Sequence, residues 1–375
     1  MKRPALMLAL ALLLVSFAII TYRIIWLKYP LFPPSPGKAW EVAMEARIKP
    51  GDQGITVRIG LPSGSGERIV TDERIHSGGL GFKRFNSRSD FPLVDDKLIT
   101  KQLAEEYHIP TPLLYHLIEY HGDVDGLEGK LGDRREFVVK PARGAGGSGI
   151  VLITDRTEKG FIKQNGEVIS PDDLSYHIFG ILSGIYSLEG LEDRALIEGL
   201  LHPDPVFAAV TYRGVPDIRI IVYRGVPAMG MVRLPTKASD GKANLHRGAI
   251  GVGIDIGKGV TLTGVHHAGV ITHHPDTGNP VADTRVPYWE RMLLIAARAM
   301  EMTHLGYLGV DLVIDREQGP MLLEMNARPG LRIQIANRAG LRDRLDLIDR
   351  APREIFETPE SRVAWALDNF TNRDS

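Results

Sequence analysis

At 375 residues the chain is long enough for two or three domains with real cores, and 43% hydrophobic and 24% charged residues are ordinary for a folded protein. A formal net charge of −1 gives no global reason to expect a nucleic-acid partner. The absence of cysteine excludes disulfides, thiolate metal sites and cysteine nucleophiles.

The first feature along the chain is PALMLALALLLVSFAIITY, an uncharged run over 4–22 flanked by Lys2, Arg3 and Arg23. A helix rising about 1.5 Å per residue crosses a bilayer core in roughly 20 residues. A cleaved signal peptide has a shorter apolar region and a small-x-small cleavage site. Here Tyr22, Trp26, Lys28 and Tyr29 supply interfacial anchors instead. Residues 1–29 therefore read as an uncleaved membrane anchor, with a signal peptide or a buried helix as the alternatives. Lys2 and Arg3 face Arg23, Lys28 and Lys38 across the run, which leaves its orientation open.

A stiff proline-rich spacer, PLFPPSPGK, follows. The alternating apolar residues and Pro-Gly turn of AWEVAMEARIKPGDQGITVRIGLPSG then predict two strands, a small β module within 30–82. Composition changes near Lys83, and helix-like and strand-like patterns alternate from there, as in an α/β or α+β enzyme body. PLVDDKLITKQLAEEYHIPTP predicts one helix. Asp95 or Asp96 caps it, Leu98, Leu103 and Ala104 form its apolar stripe, and Pro110 and Pro112 stop it. EFVVK predicts a short strand running into a glycine loop, and GIVLIT a strand leaving it.

In that loop Gly144, Gly146 and Gly149 fit G-x-G-x-x-G. A dinucleotide fingerprint requires strand, glycine turn and helix, whereas these glycines join strand to strand. A Walker loop is excluded because no Gly-Lys-Ser/Thr follows. A glycine-rich hairpin can still fold over phosphates through its backbone N–H groups, or be a plain surface turn. Lys140, at the strand end, favours the phosphate reading.

Residues 306–330, GYLGVDLVIDREQGPMLLEMNARPG, predict a hairpin of GVDLVID and PMLLEMN joined by REQG. Glu324 and Asn326 are two apart and share a face, and Asp311 can lie beside them across the hairpin. Three oxygen donors suit Mg²⁺, and acids embedded in apolar runs need a cationic partner. The histidines His266, His267, His273 and His274 come as adjacent pairs that face opposite ways, which reads as loop structure rather than a zinc site.

Four stretches in order across 92–330 resemble the ATP-grasp enzymes. DKLITKQLAEEYHIPTP resembles their opening helix, FVVKPARGAGGSGI their lysine and glycine-rich lid, ALIEGLL their adenine-binding hinge, and GVDLVID with LLEMNARPG their metal hairpin. A closer resemblance is to RimK-like α-L-glutamate ligases and a glutamate ligase-like group. It rests on PDIRIIVYRGVPAMGMVRLPT, KANLHRGAIGVGID, ITHHPDTGNPV and VPYWERMLLIAARAM. The resemblance implies an α+β ATP-grasp fold over 83–345, two subdomains gripping ATP, followed by a helical tail over 346–375.

It also implies roles. Lys97 and Lys140 hold the α- and β-phosphates, and Gly144, Gly146, Gly147 and Gly149 close over them. Glu198, Gly199, Leu200 and Leu201 read adenine through backbone groups, and Asp204 is a candidate for a ribose hydroxyl. Arg219 and Arg233 steady the γ-phosphate and a substrate carboxylate, because a guanidinium fork fits such oxygens. Asn244 and Arg328 line the reaction centre, and Asp311, Glu324 and Asn326 bind one or two Mg²⁺, or Mn²⁺. The activity implied is carboxylate–amine ligation through an acylphosphate, joining an amino acid such as glutamate to a peptide or small-molecule acceptor. The alternatives are a phosphotransferase-like protein of envelope or surface-sugar assembly and a nucleotide-binding regulator. Residues 1–82 resemble the start of inactive transglutaminase-like membrane proteins, which suggests a fusion and a partner of that kind. Use of ATP implies a cytoplasmic catalytic body.

Overall fold

The computed structural model describes residues 85–371 except Ala145, Leu188, Glu189, Ala268 and Leu331, and before them three strands, Met44–Arg47 (β1), Thr56–Pro62 (β2) and Arg68–Val70 (β3). These three pair antiparallel in the order β1-β2-β3, so a third strand joins the two expected around the Pro-Gly turn. The expected anchor over 1–29 lies outside the described residues. Among the described residues, no helix is long and apolar enough to cross a membrane.

A short helix, Pro92–Asp95 (α1), precedes the expected helix, which is Lys97–Glu106 (α2) with Asp96, one of the two expected caps, at its start. The break is Asp96, extended at φ −115 and ψ 112, whose Oδ1 accepts from Leu98 N–H at 3.0 Å and Ile99 N–H at 3.3 Å. A short carboxylate competes with the helical backbone in this way and favours the cap over the interior. Asp96 is buried and also accepts from Arg143 Nε at 3.2 Å and from Arg194, which fixes the break.

A first antiparallel sheet contains Leu114–Ile118 (β4), Phe137–Pro141 (β5), Val151–Thr157 (β6), Gly160–Lys163 (β7), Val168–Ile169 (β8) and Ala195–Glu198 (β9), in the order β4-β9-β5-β6-β7-β8. Phe137 and Val139 alternate inward from β5 and pack with Ile153 and Phe161. The helix Pro171–Leu182 (α3) presents Leu174, Ile178 and Ile181 to that core at helical spacing, and Ser170 caps its start by accepting from Asp173 N–H.

A second, seven-stranded sheet runs in the order β14-β13-β12-β11-β10-β15-β16. Its members are Asp217–Tyr223 (β10), Val226–Leu234 (β11), Ile250–Asp255 (β12), Val260–His266 (β13), Gly269–Ile271 (β14), Tyr307–Asp315 (β15) and Gly319–Asn326 (β16). The central strands are buried along nearly their whole length, as continuous apolar runs such as IIVY require. Trp289–Thr303 (α4) covers them with Met292, Leu293, Ala296 and Ala299. The tail expected beyond 345 contributes Pro359–Asn369 (α5), and Val363, Ala366 and Phe370 belong to this same core. Two antiparallel sheets with segregated helices make the body α+β.

Candidate active site

The strand β5 ends at Pro141 and β6 starts at Val151, paired antiparallel from Phe137 opposite Ile153 to Val139 opposite Val151. The glycine loop is thus the turn of a hairpin. Gly144 and Gly149 are its two roots. A Cβ at Gly144 would lie 2.2 Å from Pro141 Cγ, and one at Gly149, at φ +74, would lie 2.6 Å from Tyr186 Cγ. Side chains are excluded at both positions. Between the roots, Gly146 and Gly147 line a cavity of about 290 Å³ that opens between the two sheets.

Part of the cavity's lining is apolar, formed by Val138, Ile150, Leu152, Leu201 and Leu323. Glu198, Gly199 and Leu200 border it. Gly199 N–H already donates to Leu113 O at 2.9 Å, so it is not available to a ligand. Glu198 does more than offer backbone. Its carboxylate is 2% exposed and lies 2.6 Å from Lys140 Nζ and 3.0 Å from Lys101 Nζ. Lys140 and Lys97 both line the cavity. Lys97 Nζ donates to Gly144 O at 2.5 Å and stands 3.7 Å from Glu324 Oε2, linking the root of the glycine loop to β16.

The charged part of the lining belongs to a row of side chains built by strand register. Arg233 lies opposite Asp217, Arg219 opposite Asp311, and Asp311 opposite Glu324. Asp217 and Arg219, two apart on β10, share one face. The row therefore pairs opposite charges from β11 to β15, which is favourable, and ends on two acids, Asp311 and Glu324, directly opposite each other, which need a cationic partner. Arg219 holds Asp311 with two bonds, Nε to Oδ1 at 2.7 Å and Nη2 to Oδ2 at 2.5 Å. Arg233 pairs with Asp217 through Nε and, at 2.6 Å, Nη2, which also reaches Asp311 Oδ2 at 2.8 Å.

These contacts set the charges. Burial pushes the Asp217 carboxyl up to about 6; Arg233 opposes this and Asp311 adds to it. Burial also acts upward on Asp311, but the two guanidiniums overcome it and hold Asp311 well below the usual carboxylate range. Burial alone would lower Arg233, yet Asp217 and Asp311 raise it above an already high value, so it is a permanent cation.

Of the residues expected in the site, the structure gathers Lys97, Lys140, Gly146, Gly147, the hinge from Glu198 to Leu201, Arg233, Asn244, Asp311 and Glu324 around the cavity. Arg219 stands behind Asp311, and Asn326 Nδ2 donates to Glu324 Oε1 at 3.4 Å. Two expectations are corrected. Asp204 is not at the cavity: its Oδ1 accepts from Val206 N–H at 2.8 Å and caps the short turn Pro205–Val210. Arg328 lies past the end of β16, 60% exposed, bonded to Asp95 Oδ2 at 3.3 Å and stacked over Phe91, so it does not line the cavity. Asp217, Gln164 and Lys242 line the cavity without having been singled out. The two-residue spacing of Asp217 and Arg219 was the available signal for the first.

Asp311, Glu324 and Asn326 present hard oxygen donors from adjacent strands, and Glu324 is only partly covered, its side chain 35% exposed. Among the described residues, no group of three or more His, Cys, Asp or Glu could hold a metal ion. His266 and His274 each face a backbone carbonyl, of Gly248 and Pro235. Two carboxylates and an amide fit a hard cation that shares its coordination with phosphate oxygens and water, as Mg²⁺ does, and not a closed protein cage.

A model of the family described as sugar-transfer associated ATP-grasp matches residues 82–350. No protein of curated function matches the sequence. Among solved structures, the chain is similar to the ATP-grasp ligase PsnB complexed with a phosphomimetic variant of a minimal precursor, Mg and ADP. The identity is 15%, the coverage 71% of this chain and 60% of that one, and the TM-score 0.36. It is also similar to the D-cycloserine synthetase DcsG (17% identity, 68% and 70% covered, TM-score 0.37). A third is a RimK domain ATP-grasp protein from Sphaerobacter thermophilus (12% identity, 70% and 69% covered, TM-score 0.39). The match spans about 60% of the length of the PsnB chain.

Proposed function

The chain belongs to the sugar-transfer associated ATP-grasp family, and from that premise we propose that it is an ATP-dependent ligase that activates a carboxylate as an acylphosphate and passes it to an amine. ATP-grasp enzymes are typically ATP-dependent ligases and generally use ATP and Mg²⁺. The observation that carries the reading is the lining of one cavity, which brings together apolar side chains, Lys97 and Lys140, the glycines of the hairpin, and the charged groups Arg233, Asp311 and Glu324.

In this reading the apolar lining of Val138, Leu152 and Leu323 takes the base, and Lys97 and Lys140 face the phosphates. Gly146 and Gly147 cover them without side chains and exclude water, which protects an acylphosphate from hydrolysis. Arg233, whose charge is permanent, holds the carboxylate against the γ-phosphoryl group, and the carboxylate oxygen attacks phosphorus as ADP leaves. The amine then attacks the acyl carbon and phosphate departs. Mg²⁺, held by Asp311, Glu324 and Asn326, would supply positive charge to the phosphates. Asn244, whose Oδ1 accepts from His246 N–H at 2.9 Å, borders the cavity opposite the glycine loop. The proposal includes an amino acid such as glutamate as one substrate, a peptide or small molecule as the other, and a body held at the cytoplasmic face by residues 1–29.

The family's description favours a second reading, transfer of the phosphoryl group to a sugar-linked acceptor, with the same lysines and no amide formed. The full chain, incubated with ATP, Mg²⁺ and a panel of amino acids, small carboxylates and sugars, separates the two when hydroxylamine is added. Hydroxamate that disappears in Glu324→Ala supports the ligase. A phosphorylated sugar without hydroxamate supports phosphotransfer, and ADP release with neither product overturns both.

A further inference from the structure

We infer that Lys101 is a positioning residue for the nucleotide phosphates, acting through Glu198 to keep Lys140 available as a cation. The inference rests on the nucleotide-binding part of the reading above and goes beyond it to a residue that does not line the cavity.

Lys97 and Lys101 are one turn apart on α2 and project from the same side of the helix. Lys97 enters the cavity; Lys101 is held behind it, its side chain 11% exposed. Its ammonium donates to Thr111 Oγ1 at 3.2 Å and to Pro112 O and forms an ion pair with Glu198 Oε1 at 3.0 Å. So committed, Lys101 cannot swing forward to touch a ligand. Its whole influence passes through Glu198.

Glu198 is shared. Oε2 is 2.6 Å from Lys140 Nζ, whereas Oε1 has no hydrogen bond of its own and relies on the charge of Lys101. With Lys140 alone, the buried carboxylate would cancel the lysine facing the phosphates. With Lys101 added, the trio carries one net positive charge and Lys140 is oriented without being neutralised. Burial lowers Lys101 from the usual lysine range, and the attraction of Glu198 works against that loss. The same carboxylate thus aims one lysine and is itself balanced by the other.

The test is calorimetric titration of the full chain with ATP and, separately, adenosine, which lacks the phosphates. Lys101→Met leaves Glu198 to cancel Lys140, so the dissociation constant for ATP rises about tenfold, as for loss of one charged hydrogen bond, and that for adenosine stays constant. Lys101→Arg retains ATP binding. Lys101→Met with Glu198→Gln removes both charges, leaves Lys140 uncancelled and restores the ATP-to-adenosine ratio. The double variant keeps the net positive charge of the wild-type trio but leaves Lys140 buried without a counter-charge, so its ratio decides the matter where it folds. Where it does not, the contrast between Lys101→Met, which keeps the Lys140–Glu198 pair, and Lys101→Arg decides it. Equal weakening of ATP and adenosine, a double variant no better than the single one, or a wild-type chain that binds no ATP overturns the inference. A wild-type chain that binds ATP but yields no hydroxamate removes the ligase reading and leaves this one standing.

Discussion

Asp217 and Asp311 are both buried and share Arg233, yet their carboxyls are driven to opposite sides of the ordinary range. Asp311 accepts from two guanidiniums, whereas Asp217 has one and also faces the charge of Asp311. The consequence for stability has a sign. Asp217, raised from 3.8 to about 6 in the folded chain, contributes stability that is fully present below the unfolded value and lost as pH rises through the folded one. Asp311, depressed, contributes stability above 3.8 and loses it only in stronger acid, so it is silent in that window. Urea unfolding of the wild type and Asp217→Asn between pH 4.5 and 7.5 isolates the first effect. The stability of the wild type relative to the variant falls by about 1.5 kcal/mol from pH 4.5 to 6 and by about 2 kcal/mol in all by pH 7, and is flat beyond. Parallel curves for the two proteins mean that Asp217 is ionised throughout.

The glycine hairpin shows how an element can be anchored at its roots and open at its tip. Gly147 and Gly149 have nearly the same backbone, φ +75 and +74, but a Cβ on Gly147 meets nothing within 4 Å. A Cβ on Gly149 meets the ring of Tyr186, whose hydroxyl donates to His177 Nδ1 at 3.3 Å while His177 Nε2 donates to Gly149 O at 2.9 Å. Gly147→Ala costs the left-handed penalty of about 1 kcal/mol. Gly149→Ala adds displacement of Tyr186, so its melting temperature and its ATP affinity both fall further than those of Gly147→Ala; equal losses mean that the ring moves aside freely. Such elements were legible because their signals are local. Short apolar and β-branched runs mark β5, β6, β15 and β16, and glycine spacing marks the turn, so Lys140, Gly146, Gly147 and Glu324 could be found from their near neighbours. Asp217 and Lys101 were not, because each has its ion-pair partner, Arg233 or Glu198, on an element that sequence distance does not bring near. Asp204 and Arg328 failed for the converse reason. Nearness to a motif does not set direction, and one side chain turned to its own backbone while the other followed the chain away from β16. The cap at Asp96 was legible as one of two candidates, because a short carboxylate just before an apolar stripe is itself a local signal.

At the scale of the whole body, the described residues form one large buried cluster on the β10–β16 sheet and another on the β4–β9 sheet. The few residues between, Leu98, Ala142 and Leu196, make only a small third cluster. Apolar packing between the sheets is therefore thin just where the cavity opens, and a ligand there replaces solvent with contacts to both. Lys140 and Glu198 would meet it from the first sheet, Arg233 and Glu324 from the second. A ligand bound only when both sheets are folded stabilises each by the same amount, about 2.7 kcal/mol at 100 times its dissociation constant. Hydrogen exchange of the full chain with and without saturating ATP and Mg²⁺ tests this. Amides of β5 and β9 and those of β10 and β15 should slow by a common factor of about 100 where exchange requires unfolding of the element. Slowing confined to β5, β6 and β9 would mean that the nucleotide rests on the first sheet alone, and that the charged row from Arg233 to Glu324 serves the second sheet's own stability.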